Sequence, residues 1–272
     1  MLGPIARSLA VLLRYSLGLS FAKTAALLGQ LGVPVTAGAL PQIAASTSSA
    51  LVPVRDEIVA RLNNSPAVVP DETGWRVGGR RGWWLWAATS REATCYWIAS
   101  GRGYEEACRV VSPEFSGVLV RDGWGPCRQY ANATAQSCLA HLTRRCKEMY
   151  ADLPGWARST PRRVYQILTG ALAARELDED ERAEVVADLS ERVELMIAEP
   201  EPHPDNRRLL KHLANERQAL FSFLTHDGVD ATNWRAEQAI RPLVGSESPR
   251  HDMGHFETTG HHSDSVVAIR GW

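Results

Sequence analysis

The chain reads as an α/β protein: a sheet of short strands, preceded by a helical segment and followed by a long helical one. Three features say so. Aromatic and β-branched runs recur between residues 67 and 120, at the spacing of strands. Apolar residues before residue 64 and after residue 138 recur at helical spacing instead. Two of the apolar runs also end abruptly in carboxylates, Asp71-Glu72 after Ala67-Val68-Val69-Pro70 and Asp122 after Gly117-Val118-Leu119-Val120-Arg121.

At 272 residues the chain is long enough to bury a full core. Its formal net charge of −1 supplies no global attraction to nucleic acid, so any such partner has to be met by local basic patches. The five cysteines, Cys95, Cys108, Cys127, Cys138 and Cys146, are odd in number and contain no C-x-x-C pair. Arg7 and Arg14 interrupt the N-terminal apolar positions, and no apolar span is long enough for a bilayer. A reducing, cytoplasmic setting without a membrane is the expectation.

Residues 1–64 form the first unit. Leu9, Leu12, Leu13, Tyr15 and Leu17 lie at helical spacing, Ser20 restarts a helix through Leu27-Leu28, and Gly32-Val33-Pro34-Val35-Thr36 breaks it before a helix carrying Leu40 and Ile43. Helix, turn, helix admits two readings here: a DNA contact related to helix-turn-helix modules, or a small bundle packing on the next unit. The scarcity of Lys and Arg on the second helix weighs against the first.

Residues 65–137 hold the strands. The first is expected to end at Asp71, Gly78-Gly79-Arg80-Arg81-Gly82 to turn, and Trp83–Thr89 and Thr94–Ala99 to complete a meander. A helix over Tyr104–Val111, the strand ending at Asp122, a helix near Pro126–Ala131 and a short strand at Thr134–Ser137 follow. Three antiparallel strands followed by alternating helix and strand is the order of a ribonuclease-H-like core. In such a core Asp71 and Asp122 come side by side. Glu72 would face the other way if the strand continued.

Residues 138–228 read as a helical insertion, in which the acidic Glu176–Glu181 run is a solvated face and Pro200–Pro204 is a break. Residues 229–244 return to the core as a helix bearing Glu237, with Asn233 one turn before it as a cap and Arg241 one turn after it. Residues 245–272 are rich in His, Ser, Thr and Gly without amphipathic period and read as a divergent, disordered tail.

A single carboxylate at a strand end is ordinarily a solvated turn or a cap. Two strand-end Asp residues and a helical Glu are a different matter, because three such oxygens can hold hard divalent cations. Cys138 and His141 form a C-x-x-H pair at a helix start, with no second pair to complete a four-ligand zinc site, and read as a buried structural pair. Arg144 and Arg145, one turn on, suit phosphate contacts or a solvated face. Trp75, Trp124 and Trp234, each beside an acid or flanking the Glu, suit base stacking or core packing.

The words Asp71-Glu72-Thr73-Gly74-Trp75-Arg76-Val77, Arg121-Asp122-Gly123-Trp124, Cys138-Leu139-Ala140-His141-Leu142 with Arg144-Arg145, and Ala231-Thr232-Asn233 through Pro242 together resemble the insertion sequence 66 family of DDE transposases. The resemblance implies a DDE triad of Asp71, Asp122 and Glu237. It implies two Mg²⁺ or Mn²⁺ ions held by the triad, and DNA cleavage followed by strand transfer. Arg144, Arg145, Arg241, Trp75, Trp124 and Trp234 would then meet DNA at transposon ends and target, in a homo-oligomeric complex on the bacterial nucleoid.

The chain departs from the resembled pattern at both ends. It begins late in that pattern, lacking a coiled-coil-like segment and a zinc module. After Val244 the tail follows no family word. Met253-Gly254 contains a Trp codon when read one base later, so a frameshift near Val244 is one account. A truncated or frameshifted remnant that binds DNA or partner subunits without catalysis is the alternative function. A ribonuclease-H-like nuclease outside transposition, which would cleave without joining, is a third.

Overall fold

A computed structural model describes residues 2–77, 80–123 and 125–244. The tail with its frameshift reading, Trp124, and the Gly78-Gly79 part of the expected turn lie outside the described residues.

The N-terminal unit contains α1 (Pro4–Val11), a π turn over Leu12–Ser16, α2 (Phe21–Gln30), α3 (Ala39–Ala50) and α4 (Val52–Asn63). Pro4 opens α1, where its missing N–H costs nothing, and the Ser20 hydroxyl caps α2 by accepting the Lys23 amide at 3.2 Å. Ala10, Leu13, Leu28 and Leu40 bury a small core of their own. Buried Arg14 donates to the Leu19 carbonyl at 3.2 Å and lies 4.8 Å over the Phe21 ring.

One five-stranded sheet follows, in the order β3-β2-β1-β4-β5. The strands are β1 (Ala67–Val77), β2 (Arg80–Thr89), β3 (Thr94–Ala99), β4 (Val118–Arg121) and β5 (Thr134–Ser137). β1, β2 and β3 run antiparallel as a meander, while β4 joins β1 in parallel and β5 joins β4 in parallel. The sheet is therefore mixed, within an otherwise mostly helical α/β protein.

Four local expectations change. β1 does not stop at Asp71: it stays paired to β2 from Val69↔Thr89 through Asp71↔Ala87 to Trp75↔Trp83 and on to Val77↔Arg80. The polar run continues as a strand because its partner carries Trp83, Trp84 and Trp86, whose cross-strand contacts hold it. Arg80 to Gly82 accordingly belong to β2 and not to a turn. Between the last two register pairs β2 spends one more residue than β1, and Gly82 takes φ +103° there, a bulge conformation that glycine adopts without strain. The helix expected over Tyr104–Val111 is only α5 (Tyr104–Ala107). Asn63 captures the chain beyond it, donating to the Val110 carbonyl at 2.7 Å and accepting the Ser112 amide at 2.6 Å. The helix expected near Pro126–Ala131 is a 3₁₀ helix over Gly125–Gln129, beyond which buried Tyr130 donates its hydroxyl to the Val111 carbonyl at 3.1 Å.

From there the chain is helical: α6 (Leu139–Asp152), α7 (Ser159–Ala173), α8 (Glu179–Ala198), α9 (Pro204–Glu216), α10 (Ser222–Thr225) and α11 (Trp234–Val244). The alternating strands bury both faces. Val68, Trp86, Trp97 and Leu119 pack with Leu62 of α4 and with Phe115 and Tyr130, the two Trp rings stacked at 5.4 Å. Val69, Val118 and Val120 pack against α6 to α10, including Leu142, Leu168, Leu209 and Phe223. Among the described residues no helix is long and apolar enough to cross a membrane.

Candidate active site

Parallel pairing between β1 and β4 is confined to Ala67↔Val118 and Val68↔Leu119. Beyond Leu119 the two strands part, β1 staying with β2 and β4 with β5 up to Arg121↔Ser137. Asp71 lies three residues beyond Val68, and Asp122 lies three residues beyond Leu119. The two acids thus lie equal numbers of residues beyond the last parallel pair, Asp71 within β1 and Asp122 just past the end of β4, and the Asp122 charge acts on Asp71.

Strict alternation puts Asp71 on the face shared by Val69, Thr73 and Trp75. Across that face lies α11, packed on β1 and β2. Ile240 enters between Leu85, Ala87 and Tyr96, and the Tyr96 hydroxyl donates to the Ala239 carbonyl at 3.1 Å. Burying one stripe of α11 in this way leaves Glu237, three residues before Ile240, half-buried and near enough for its charge to act on Asp71.

The electrostatics register the convergence. Burial pushes the Asp71 carboxyl up to about 7, and the negative charges of Glu72, Asp122 and Glu237 push the same way, against the Glu72 amide that Asp71 Oδ1 accepts at 3.0 Å. A carboxylate crowded by others in this way is relieved by a cation, and oxygen donors of this kind suit Mg²⁺ or Mn²⁺. Still, no group of three or more His, Cys, Asp and Glu side chains among the described residues is close enough to hold a metal ion as it stands. The acids are neighbours, not a finished cage.

Glu72 takes the opposite face. Its carboxylate, 7% exposed, accepts from Arg102 Nε at 2.6 Å, and Arg102 lies 4.7 Å over the Trp84 ring. Burial raises the Glu72 carboxyl and the Arg102 guanidinium opposes the rise.

Cys138 precedes α6 and ties three elements together. Its amide donates to the Arg121 carbonyl at 2.7 Å, next to Asp122. Its thiol donates to Asn233 Oδ1 at 3.1 Å and accepts the Asn233 amide at 3.4 Å. His141 Nδ1 lies 3.2 Å from the same sulfur, and Nε2 lies 3.7 Å from Glu237 Oε1. The expected capping role of Asn233 is thereby changed: its backbone carbonyl accepts from the Ala236 and Glu237 amides, while its side chain is turned to Cys138.

The remaining expected contacts divide. Arg144 and Arg241 are exposed, and Arg145 is half-buried near His212 of α9. Trp234 is 48% exposed on α11 with Arg235 beside its ring, whereas Trp75 is half-buried against the Ile240 cluster.

Sequence reasoning missed Glu216. It is fully buried at the end of α9, with Arg121 Nη2 at 2.9 Å, Arg128 Nη2 at 2.6 Å and the Ser137 hydroxyl at 2.6 Å. Those three donors hold its carboxyl below the usual range against the effect of burial. An amphipathic stretch ending in Glu gives no sign of this, because its partners lie 79 to 95 residues away.

No curated protein and no solved structure matches the chain. A family model described as "Transposase IS66 family" matches residues 1–252. With that match covering nearly all of its length, the chain belongs to the IS66 family of transposases.

Proposed function

We propose that the chain is a DDE transposase, cleaving DNA at transposon ends and joining the freed end to target DNA. On this reading the sheet order β3-β2-β1-β4-β5 is that of a ribonuclease-H-like core. Asp71, Asp122 and Glu237 are its acids. The observation that supports the reading is the parallel register of β1 and β4, beyond whose last pair Asp71 and Asp122 each follow by three residues as the strands separate.

The carboxylates of Asp71, Asp122 and Glu237 would hold two Mg²⁺ or Mn²⁺ ions, which when bound supply charge neutralisation and an activated oxygen nucleophile for phosphodiester attack. The chain's own part is positional. Asp71 is fixed by the β1–β2 ladder and Glu237 by the seat of Ile240. Burial is the main cause of the raised Asp71 carboxyl, and the neighbouring negative charges that add to it would favour a cation once one is offered. Arg144, Arg145 and Arg241 would meet phosphates, Arg144 and Arg241 from exposed positions. Exposed Trp234 offers a stacking face to an unpaired base. The active complex on this reading is a homo-oligomer on DNA.

A second reading is favoured by one observation. The described residues hold no ready group of three metal donors, which suits a remnant that binds DNA without chemistry. A nicking and joining assay on a transposon-end duplex separates the two. Mg²⁺-dependent nicking that Asp71→Ala abolishes supports the enzyme, nicking without joining points to a nuclease, and binding without nicking leaves the remnant.

A further inference from the structure

The strand ladders stop short of Asp122. β1 leaves β4 after Leu119, and β4 leaves β5 after Arg121. Helix α9 meets the chain on either side of this residue. Before it, Arg121 is paired with Glu216 at 2.9 Å, and Ser137 and Arg128 complete the shell around the same carboxylate. After it, Gly123 adopts φ +92°, and a Cβ there would stand 3.0 Å from His212 Cε1. His212 and Glu216 are four residues apart, so one face of α9 serves both contacts. The left-handed backbone at 123 favours glycine, and any Cβ there would press on the His212 imidazole.

We propose that His212 and Glu216 are positioning residues, through which α9 sets where the Asp122 carboxylate stands relative to Asp71. This rests on the reading of Asp71 and Asp122 as a cation-holding pair. Glu216 acts through Arg121, whose backbone carbonyl is also fixed by the Cys138 amide, and His212 acts through Gly123. Helix α9 is thereby part of the site's frame, although none of its side chains need touch a cation or DNA.

The test is Mn²⁺ titration of the full chain by calorimetry, with melting curves to confirm that each variant is folded. The variants are Asp122→Ala, Glu216→Gln and the double substitution. Outer residues that orient a metal ligand typically alter affinity roughly ten- to hundredfold, and a weakening of that order is expected for Glu216→Gln. In the Asp122→Ala background Glu216→Gln should then add nothing, since the two act on one ligand. His212→Ala, which leaves the buried ion cluster intact, should weaken Mn²⁺ binding several-fold and decides the matter if Glu216→Gln does not fold. Wild-type affinity in folded Glu216→Gln or His212→Ala, alongside a weakened Asp122→Ala, overturns the positioning role and leaves the cation-holding pair standing. Binding that Asp122→Ala does not change overturns the pair itself, and this proposal with it.

Discussion

The His141 ring stands between Cys138 and Glu237, with Nδ1 3.2 Å from the thiol and Nε2 3.7 Å from the carboxylate. The two contacts differ in kind. The thiol side belongs to a buried lattice that also uses both the side chain and the amide of Asn233. The carboxylate side is about one-third exposed on both partners and too long for a hydrogen bond. Cys138→Ala should therefore lower stability by about 1–3 kcal/mol, since it leaves buried Asn233 groups unpaired. His141→Ala loses the thiol contact as well as the solvent-screened one and should cost about 1 kcal/mol, yet reduce Mg²⁺-dependent nicking by loosening Glu237. Urea denaturation and the nicking assay check both, and full activity in His141→Ala would detach this residue from the site.

Asp71 gives a pH dependence of defined sign. Its carboxyl titrates near 7 in the folded chain, against an ordinary value of 3.8. Between those values the native state holds one proton more than the unfolded state, so its contribution to stability falls as pH rises from 3.8 to about 7 and is level above. Asp71→Asn removes this penalty. Without divalent cations the variant should be more stable than wild type at pH 8, by about 1–2 kcal/mol after allowance for solvent, and equal to it near pH 4. Added Mg²⁺ should raise the wild-type melting temperature and not the variant's. Parallel pH profiles for the two chains would show that Asp71 is not crowded as described.

The divide between what the sequence discloses and what it conceals follows the range of the interactions. Strand positions were legible because Trp83–Thr89 and Thr94–Ala99 carry their own β propensity, and the apolar runs before Asp71 and Asp122 announce buried strands. The continuation of β1 through Thr73-Gly74-Trp75 was not legible, because β2 and not local propensity keeps that segment extended. Glu216 was hidden for the same reason: an exposed and a buried Glu look alike on a helix until Arg121, Arg128 and Ser137 arrive from the sheet. The place of Asn233 one turn before Glu237 suggests a cap, but Cys138, 95 residues away, takes its side chain instead.

Glu72 tests the assignment of faces on β1. It adjoins Asp71 in the chain but pairs with Arg102 on the far side of the sheet. Glu72→Gln should keep nicking close to the wild-type rate, whereas Asp71→Asn should abolish it. Arg102→Ala leaves a nearly buried carboxylate without its partner and should cost about 1–3 kcal/mol in urea denaturation, rescued in the double variant Arg102→Ala with Glu72→Gln. Loss of nicking in Glu72→Gln equal to that in Asp71→Asn would mean that both carboxylates serve the site.

The two described tryptophans near the acids should part company. Trp75 lies half-buried with Ile240, Leu85 and Tyr96, so Trp75→Ala opens a gap beneath α11 and should cost about 2–4 kcal/mol of stability. Trp234, 48% exposed, contributes little to that core, and Trp234→Ala should leave the melting temperature close to wild type. If its ring stacks on an unpaired base, the same substitution should weaken binding of single-stranded or frayed transposon-end DNA by about 1–3 kcal/mol while barely altering binding to a closed duplex. Fluorescence anisotropy with the two DNA forms makes the comparison directly. An equal loss on both forms would assign Trp234 to general docking, and no loss on either would make its exposure incidental to DNA.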